Sequence, residues 1–317
     1  IAQLIMYPVY TNKSQAHILE IEKLVKTHGI GGIIFMQGGP GRQVNAYNYL
    51  QQTSKVPLLT SIDGEWGVSM RLDSVLKFPR QLLLGAIQDN SLIEEMGVEI
   101  AKQCKLTGVH VNFAPDIDVN VNPNNPVINS RSFGENPSEV GGKGLAYMNG
   151  LQKNKIIASA KHFPGHGDTY TDSHYSLPTI KHSRKRIDNV ELKPFVELIN
   201  NGVASVMVAH LYVPSLDKRN NRATTLSYNV VTKMLRDSLG FKGLTFTDAL
   251  NMKGVANFYP VGEVDLEAFL AGNDILLFSQ DNLVVVNKRF ENVKTYIARP
   301  RYEERELILK NKTAEPK

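Results

Sequence analysis

Short, almost continuously apolar runs recur along the chain, and most of them end at polar or charged residues. Eight such runs are rich in β-branched and aliphatic residues, as strands buried on both faces should be. They span residues 3–9, 31–37, 57–63, 109–119, 156–163, 204–211, 243–249 and 273–279. We predict one β-strand in each run.

Amphipathic stretches of helical character lie between these runs, and the clearest span residues 14–29, 90–108, 137–154 and 227–240. The last three begin with Asn, Pro or Ser and end with Gly or Asn, which is consistent with helix capping. Eight strand-helix alternations predict an α/β fold, a closed (β/α)8 TIM-type barrel, over residues 1–280. An open, doubly wound sheet is the alternative. The charged stretch 281–317 predicts a C-terminal helical arm or a lead into a further domain.

Composition narrows the functional classes. Hydrophobic residues make up 42% and charged residues 21% of the 317 positions, which is typical of a globular protein. The net charge of +5 is spread along the chain, and the basic run at 181–186 predicts a solvated loop, so no nucleic-acid partner is expected. The single cysteine, Cys104, excludes an internal disulfide and is predicted to be buried.

The sequence also bears on the compartment. No apolar run reaches the roughly 18 residues that a membrane-spanning helix needs. Because the chain opens at Ile1, already inside an apolar segment, we expect a preceding segment to have been removed. This favours the cell envelope or periplasm over the cytoplasm, which stays the alternative.

Isolated polar residues occur where the predicted strands end, and in a parallel barrel this end carries the chemistry. Burying a charge is costly unless it is paired, so a charged residue at the end of a buried strand is expected to have a partner or a function. Asp116 and Asp118 are equally consistent with loop anchors, and Asp248 could cap a following helix. The residues concerned are Asp63, Asp116, Asp118, Lys161, His162, His210 and Asp248.

Segment 161–178, KHFPGHGDTYTDSHYSLP, has the highest density of such residues. His162 and His166 have a metal-ligand spacing, but that spacing requires a helix, which Pro164 and Gly165 disfavour. A structural loop would leave Asp172 and His174 unexplained. An aspartate bonded to imidazole raises the imidazole pKa, so a paired histidine could act as a general acid at neutral pH.

Segment 161–178 resembles the signature of bacterial β-N-acetylglucosaminidases of glycoside hydrolase family 3. The segment TDALNMKGV around Asp248 resembles the nucleophile motif of the same enzymes. SIDGEWG with Arg71 downstream, NFAPDIDV, INSRSFG around Arg131, VMVAHLYVP and GEVDLEAFLAGNDILL are further matches. The resemblance extends to about residue 280. Beyond it the match is poor, so the barrel could be irregular at its C-terminal end.

The resemblance implies a retaining exo-glycosidase that needs no metal or other cofactor. Asp248 would be the nucleophile that forms a covalent glycosyl-enzyme, and His174, paired with Asp172, would be the general acid/base. The substrate would be a carbohydrate with terminal β-linked N-acetylglucosamine, released from peptidoglycan during recycling. The residues implied to hold its hydroxyl groups are Asp63, Arg71, Arg131, Lys161 and His162.

Two other functions stay open at this stage. A histidine base and a basic environment would also suit a phosphorylase that transfers the sugar to phosphate. A non-catalytic sugar-binding barrel is the other alternative, although Asp172, His174 and Asp248 are all present.

Overall fold

Eight parallel strands form the centre of the molecule in a computed structural model that describes residues 2–172, 176–259 and 262–278. Each predicted run coincides with one of them, although β1 continues one residue beyond its run, and most strand residues are buried, as the apolar runs predicted. The strands are β1 Ile5–Tyr10, β2 Gly32–Gln37, β3 Leu59–Ile62, β4 Val111–Asn112, β5 Ile157–Phe163, β6 Ser205–Val208, β7 Leu244–Thr247 and β8 Leu276–Leu277.

The strands follow one another around the sheet in the order of the sequence. Ile5 of β1 pairs with Leu276 of β8, and a parallel bridge joins Phe246 of β7 to Ile275 beside β8. The sheet therefore curves into a (β/α)8 barrel, as predicted. A doubly wound sheet would instead place the first strand in the middle and leave two open edges.

Helices connect the strands and cover the outside of the barrel. They are α1 Gln15–His28, α2 Pro40–Thr53, α3 Gln81–Gly85, α4 Asn90–Leu106, α5 Pro137–Lys153, α6 Arg184–Asn189, α7 Lys193–Asn200, α8 Lys253–Ala256 and α9 Glu263–Leu270. Short 3-10 turns occupy Ala2–Leu4, Val68–Met70, Asn129–Arg131 and Thr224–Leu226. The predicted arm at 281–317 lies outside the described residues.

The ends of the predicted helices differ from the sequence pattern by about one residue. The capping side chains of α4 and α5 are Asp89 and Asn136, each one position before the predicted start. Asp89 accepts from the amide of Ser91 at 2.9 Å. The stretch predicted as a helix at 227–240 is wound as a π-helix over Asn229–Ser238.

Apolar side chains fill the inside of the barrel, which is therefore a packed core and not a channel. Cys104 is fully buried, as predicted, and burial raises the pKa of its thiol to about 12. Among the described helices, none has the length and apolar character needed to cross a membrane. The residues of the inner core are Met6, Ile34, Val111, Phe113, Met207, Phe246 and Leu277.

Candidate active site

A cavity of about 360 Å³ opens where the strands end at their carboxyl side. This volume is at the small end of ligand pockets, and it suits a single sugar ring. Methionines and other apolar residues form part of its wall, above the inner core. The ionisable residues that line it are Asp63, Glu65, Arg71, Arg131, Lys161, His162, His166 and Asp248.

Asp63 follows the last residue of β3 and binds two cations. Its Oδ2 accepts from Arg71, and its Oδ1 lies 3.0 Å from Lys161 Nζ. Burial alone would raise the pKa of Asp63, but Lys161 and Arg71 outweigh it and hold the pKa well below its usual range. Asp63 is therefore ionised at neutral pH and fixes the orientation of both cations.

Glu65 lies two residues further and is completely buried. Its carboxylate accepts from Arg131 Nε at 3.0 Å and Arg131 Nη2 at 2.7 Å, and its Oε1 lies 2.8 Å from Lys161 Nζ. Burial opposes ionisation, but Arg131 and Lys161 lower the pKa of Glu65 to about 2. Glu65 was not among the predicted site residues, although its spacing from Asp63 places both carboxylates at the same strand end.

His162 is buried with a defined proton arrangement. Its Nε2 lies 3.2 Å from Arg131 Nη2, and its Nδ1 lies 2.7 Å from Asp118 Oδ2. A guanidinium only donates, so Nε2 accepts its hydrogen bond, and Nδ1 carries the proton and donates to Asp118. Burial, and then the charge of Arg131, lower the pKa of His162 to about 4. His162 is thus neutral at neutral pH.

Asp118 anchors the loop that follows β5. Its Oδ1 accepts from the backbone amide of His166 at 2.6 Å, and both of its oxygens lie 3.3 Å from the amide of His162. At Gly167 a Cβ would lie 1.9 Å from the carbonyl oxygen of Val119, so only glycine permits this close approach. These contacts agree with the interpretation of Asp118 as a loop anchor.

The metal interpretation of His162 and His166 gains no support from the described part of the chain. Their rings meet edge to face at 5.9 Å, and His166 Nδ1 lies 3.0 Å from Thr169 Oγ1. The potential ligand atoms near His162 belong instead to Asp116 and Asp118. The bonds of Asp118 to His162 and His166 already account for that cluster.

Asp116 Oδ2 is buried and has no hydrogen-bond partner among the described residues. Two basic groups lie near it, Arg131 Nη2 at 3.6 Å and His162 Nδ1 at 3.8 Å. Burial, reinforced by Asp118, raises the pKa of Asp116 to about 8. Asp116 therefore retains a proton in the folded state at neutral pH.

This proton makes stability depend on pH. Between about pH 4 and about pH 8 the folded chain holds the proton of Asp116 and the unfolded chain does not, so rising pH favours unfolding. We expect the free energy of unfolding of the wild type to fall relative to that of Asp116→Asn across this interval. Urea titrations at pH 4.5 to 8.5 measure the difference, and the exposed Asp188→Asn serves as control. A difference that does not change with pH contradicts the prediction.

Asp248 follows the last residue of β7 and lines the cavity. Its amide donates to the carbonyl oxygen of Val208 at 3.0 Å, and its Oδ1 accepts from the amide of Ala249 at 2.7 Å. His210 lies behind this turn, where its Nε2 donates to the carbonyl oxygen of Ala249 at 3.0 Å. The structure therefore places Asp248 in the cavity and His210 as a support of the neighbouring backbone.

The structure describes only Asp172 of the predicted pair Asp172 and His174. Asp172 lies on the loop between β5 and α6, and its carbonyl oxygen accepts from the amide of Ser176 at 3.1 Å. His174 lies outside the described residues, so the pairing stays a prediction. The other predicted site residues all line the same cavity, and they are Asp63, Arg71, Arg131, Lys161, His162 and Asp248.

Comparisons with known proteins agree with this architecture. Residues 1–307 match the family described as Glycosyl hydrolase family 3 N terminal domain. Beta-hexosaminidase A of Pseudoalteromonas piscicida is 36% identical over 306 residues, which cover 88% of this chain and 51% of that protein. The chain thus spans about half of that relative's length. Beta-hexosaminidase of Nitrosomonas eutropha is 28% identical over 86% of this chain and 81% of that protein.

A solved structure is similar over almost the whole chain. It is a glycoside hydrolase family 3 beta-N-acetylglucosaminidase from Paenibacillus sp. str. FPU-7, with a TM-score of 0.86 and 36% identity, covering 96% of this chain and 60% of that chain. The sequence match, the barrel and the cavity at its carboxyl end together identify the family. The chain belongs to glycosyl hydrolase family 3, and its barrel corresponds to the N-terminal domain of that family.

Proposed function

We propose that this barrel is the catalytic domain of a retaining exo-β-N-acetylglucosaminidase. Its substrate would be a peptidoglycan-derived disaccharide or muropeptide with a terminal β-linked N-acetylglucosamine. The observation that carries the proposal is the position of Asp248 in a sugar-sized cavity beside Asp63, Arg71 and Lys161. Related proteins named as beta-hexosaminidases and a beta-N-acetylglucosaminidase support the sugar specificity.

The cavity supports a division of roles. The ionised carboxylate of Asp63 accepts hydrogen bonds from sugar hydroxyls, while the cations of Arg71, Arg131 and Lys161 donate them. The methionine side chains in the wall can pack against the apolar face of the ring. Because the packed barrel core lies below the cavity, a chain cannot pass through, which favours removal of a terminal sugar.

In the proposed reaction Asp248 attacks the anomeric carbon, and the bond to the leaving oxygen breaks as His174 gives that oxygen a proton. The product of this step is a covalent glycosyl-enzyme. Neutral His174, paired with Asp172, then removes a proton from water, which attacks the same carbon and frees Asp248. The pair thus does the work that a second carboxylate does in most retaining glycosidases.

The role of His174 is tested by the leaving group. Proton transfer contributes about 10² to 10⁴ in rate, and a good leaving group needs it least. We expect His174→Ala to slow the first step on a natural disaccharide far more than on a nitrophenyl N-acetyl-β-glucosaminide, and single-turnover kinetics on both substrates measure this. Equal losses would argue against a proton donor. His28→Ala, on the far end of α1, is the matched control.

Phosphorolysis is the competing reaction, and the charges of the cavity do not favour it. Arg71, Arg131 and Lys161 are already paired with the ionised Asp63 and Glu65. The positive charges that could attract an incoming phosphate are therefore already neutralised by these carboxylates. We expect N-acetylglucosamine to be the product whether or not phosphate is present, and chromatography of the products decides this. Formation of the sugar 1-phosphate would overturn the assignment to hydrolysis.

The proposed compartment is the cell envelope or periplasm, with the cytoplasm as alternative. The peptidoglycan-derived substrate supports it, since such fragments arise at the cell wall. Fractionation of the producing cells, with activity measured in each fraction, tests the compartment.

A further inference from the structure

Three side chains of metal-binding type meet outside the cavity. Asp168, His182 and Glu191 each offer one ligand atom, and these atoms lie within 4.8 Å of one another. Asp168 Oδ2 and His182 Nε2 are in direct contact at 2.6 Å. None of the three is among the described residues that line the cavity, so this cluster is separate from the candidate active site.

One carboxylate oxygen of Glu191 is buried and is not bonded by any described residue. Its side chain is 1% exposed, and its Oε2 has no hydrogen-bond partner among the described residues. Oε1 accepts from Arg186 Nη2 at 3.1 Å, so the guanidinium bonds only one of the two oxygens. A buried carboxylate oxygen without a partner is unusual, and a bound ion is one of its ordinary explanations.

The donor set suits a divalent cation. One imidazole nitrogen and two carboxylate oxygens match the preferences of Zn²⁺, which takes nitrogen at about 2.0–2.1 Å and oxygen at about 2.0–2.2 Å. Tetrahedral ligands at those lengths lie about 3.4 Å apart. The present spacing, from 2.6 Å up to 4.8 Å, brackets that value, so modest side-chain movement is sufficient. The His182 side chain is 34% exposed, which gives an ion access.

We propose that Asp168, His182 and Glu191 form a divalent-cation site, for which Zn²⁺ is the best-fitting ion. Asp168 follows β5, and His182 precedes α6, so a cation would join the two ends of segment 168–182. Glu191 would attach that junction to the turn between α6 and α7. Three protein ligands leave a fourth position for water.

The position of the site gives it a consequence for catalysis. Segment 168–182 contains both Asp172 and His174. A cation held by Asp168 and His182 would join the two described ends of this segment. This consequence rests on the proposed function, whereas the cation site itself does not.

Isothermal titration of the chelator-treated full chain with ZnCl2 tests the proposal. We expect one ion to bind the wild type outside the active-site residues, and His182→Ala and Asp168→Asn each to weaken that binding at least tenfold. His28→Ala, which removes an imidazole from the end of α1, should bind as the wild type does. Zinc should also raise the Tm of the wild type and not that of His182→Ala. His182→Gln replaces His182→Ala if the latter fails to fold without metal.

Unchanged zinc affinity in both His182→Ala and Asp168→Asn would overturn the site. Loss of binding only in Asp118→Asn would overturn it too, and would move the ion to the cluster around His162. Activity is measured in parallel to separate the two proposals. A wild type that binds zinc through His182 but cleaves no N-acetyl-β-glucosaminide contradicts the proposed function and leaves the cation site intact.

Discussion

Asp248→Ala is expected to reduce turnover of an aryl N-acetyl-β-glucosaminide by 10⁴-fold or more, on the order of losses seen when a covalent nucleophile is removed. Asp248 follows the last residue of β7, and its position in the cavity is the basis of its proposed role as nucleophile. In the proposed mechanism Asp248 is the group that forms the glycosyl-enzyme, so its removal would stop that step. Steady-state release of the nitrophenol measures the loss.

The reason for the loss can be tested with a small anion. In Asp248→Ala the removed carboxylate leaves space, and added azide can attack the anomeric carbon from the same side. We expect partial recovery of the rate, with an α-glycosyl azide as product. Asp237→Ala, which removes an exposed aspartate paired with Lys233, should keep full activity. Full activity in Asp248→Ala, or a β-configured azide, would contradict the assignment.

The fold could be predicted from the sequence because the strands of a parallel barrel are buried on both faces. A buried strand of four to seven residues, such as β5 or β6, reads as an apolar run whatever its neighbours are. The two-residue strands β4 and β8 were located only within longer runs. The π-winding of Asn229–Ser238 had no local signal, since an apolar periodicity near 3.6 does not distinguish it from an α-helix.

The site was predictable where a residue marks the end of a strand. Asp63, Lys161, His162 and Asp248 have this position, and the structure brings them together because parallel strands end at the same side of the barrel. Arg71 and Arg131 lie on connecting loops, so only the family resemblance indicated them. The partner of Arg131, Glu65, is 66 positions away and could not be deduced from any local pattern.

Glu65 shows the same limit most clearly. It lies in a loop just beyond β3, where a glutamate is ordinarily solvated. Its burial depends on Arg131, 66 positions away, and on Lys161, which is brought in by β5. The requirement for an acid at this position arises only when the two cations have been placed side by side.

Glu65→Gln is expected to destabilise the fold by about 3 kcal/mol, at the lower end of the range for breaking a buried ion pair. The amide has nearly the same shape but cannot neutralise Arg131 and Lys161, which would then repel one another. The loss stays near the lower end because Asp63, at 3.0 Å, still pairs with Lys161. Urea unfolding at neutral pH measures it. Glu99→Gln, in an exposed pair with Lys102, should change stability by less than about 0.5 kcal/mol.

The same substitution should affect activity beyond its effect on folding. Glu65 holds Arg131 and Lys161 in position, and a displacement of about 1 Å in a positioning group can cost about 10² in rate. We therefore expect kcat/KM of Glu65→Gln to fall by about that factor at a temperature where the variant is fully folded. A variant that is destabilised but retains full kcat/KM would limit Glu65 to a structural role. A variant as stable as the wild type would show that Arg131 and Lys161 do not need this carboxylate, which contradicts the charge balance derived from the cavity.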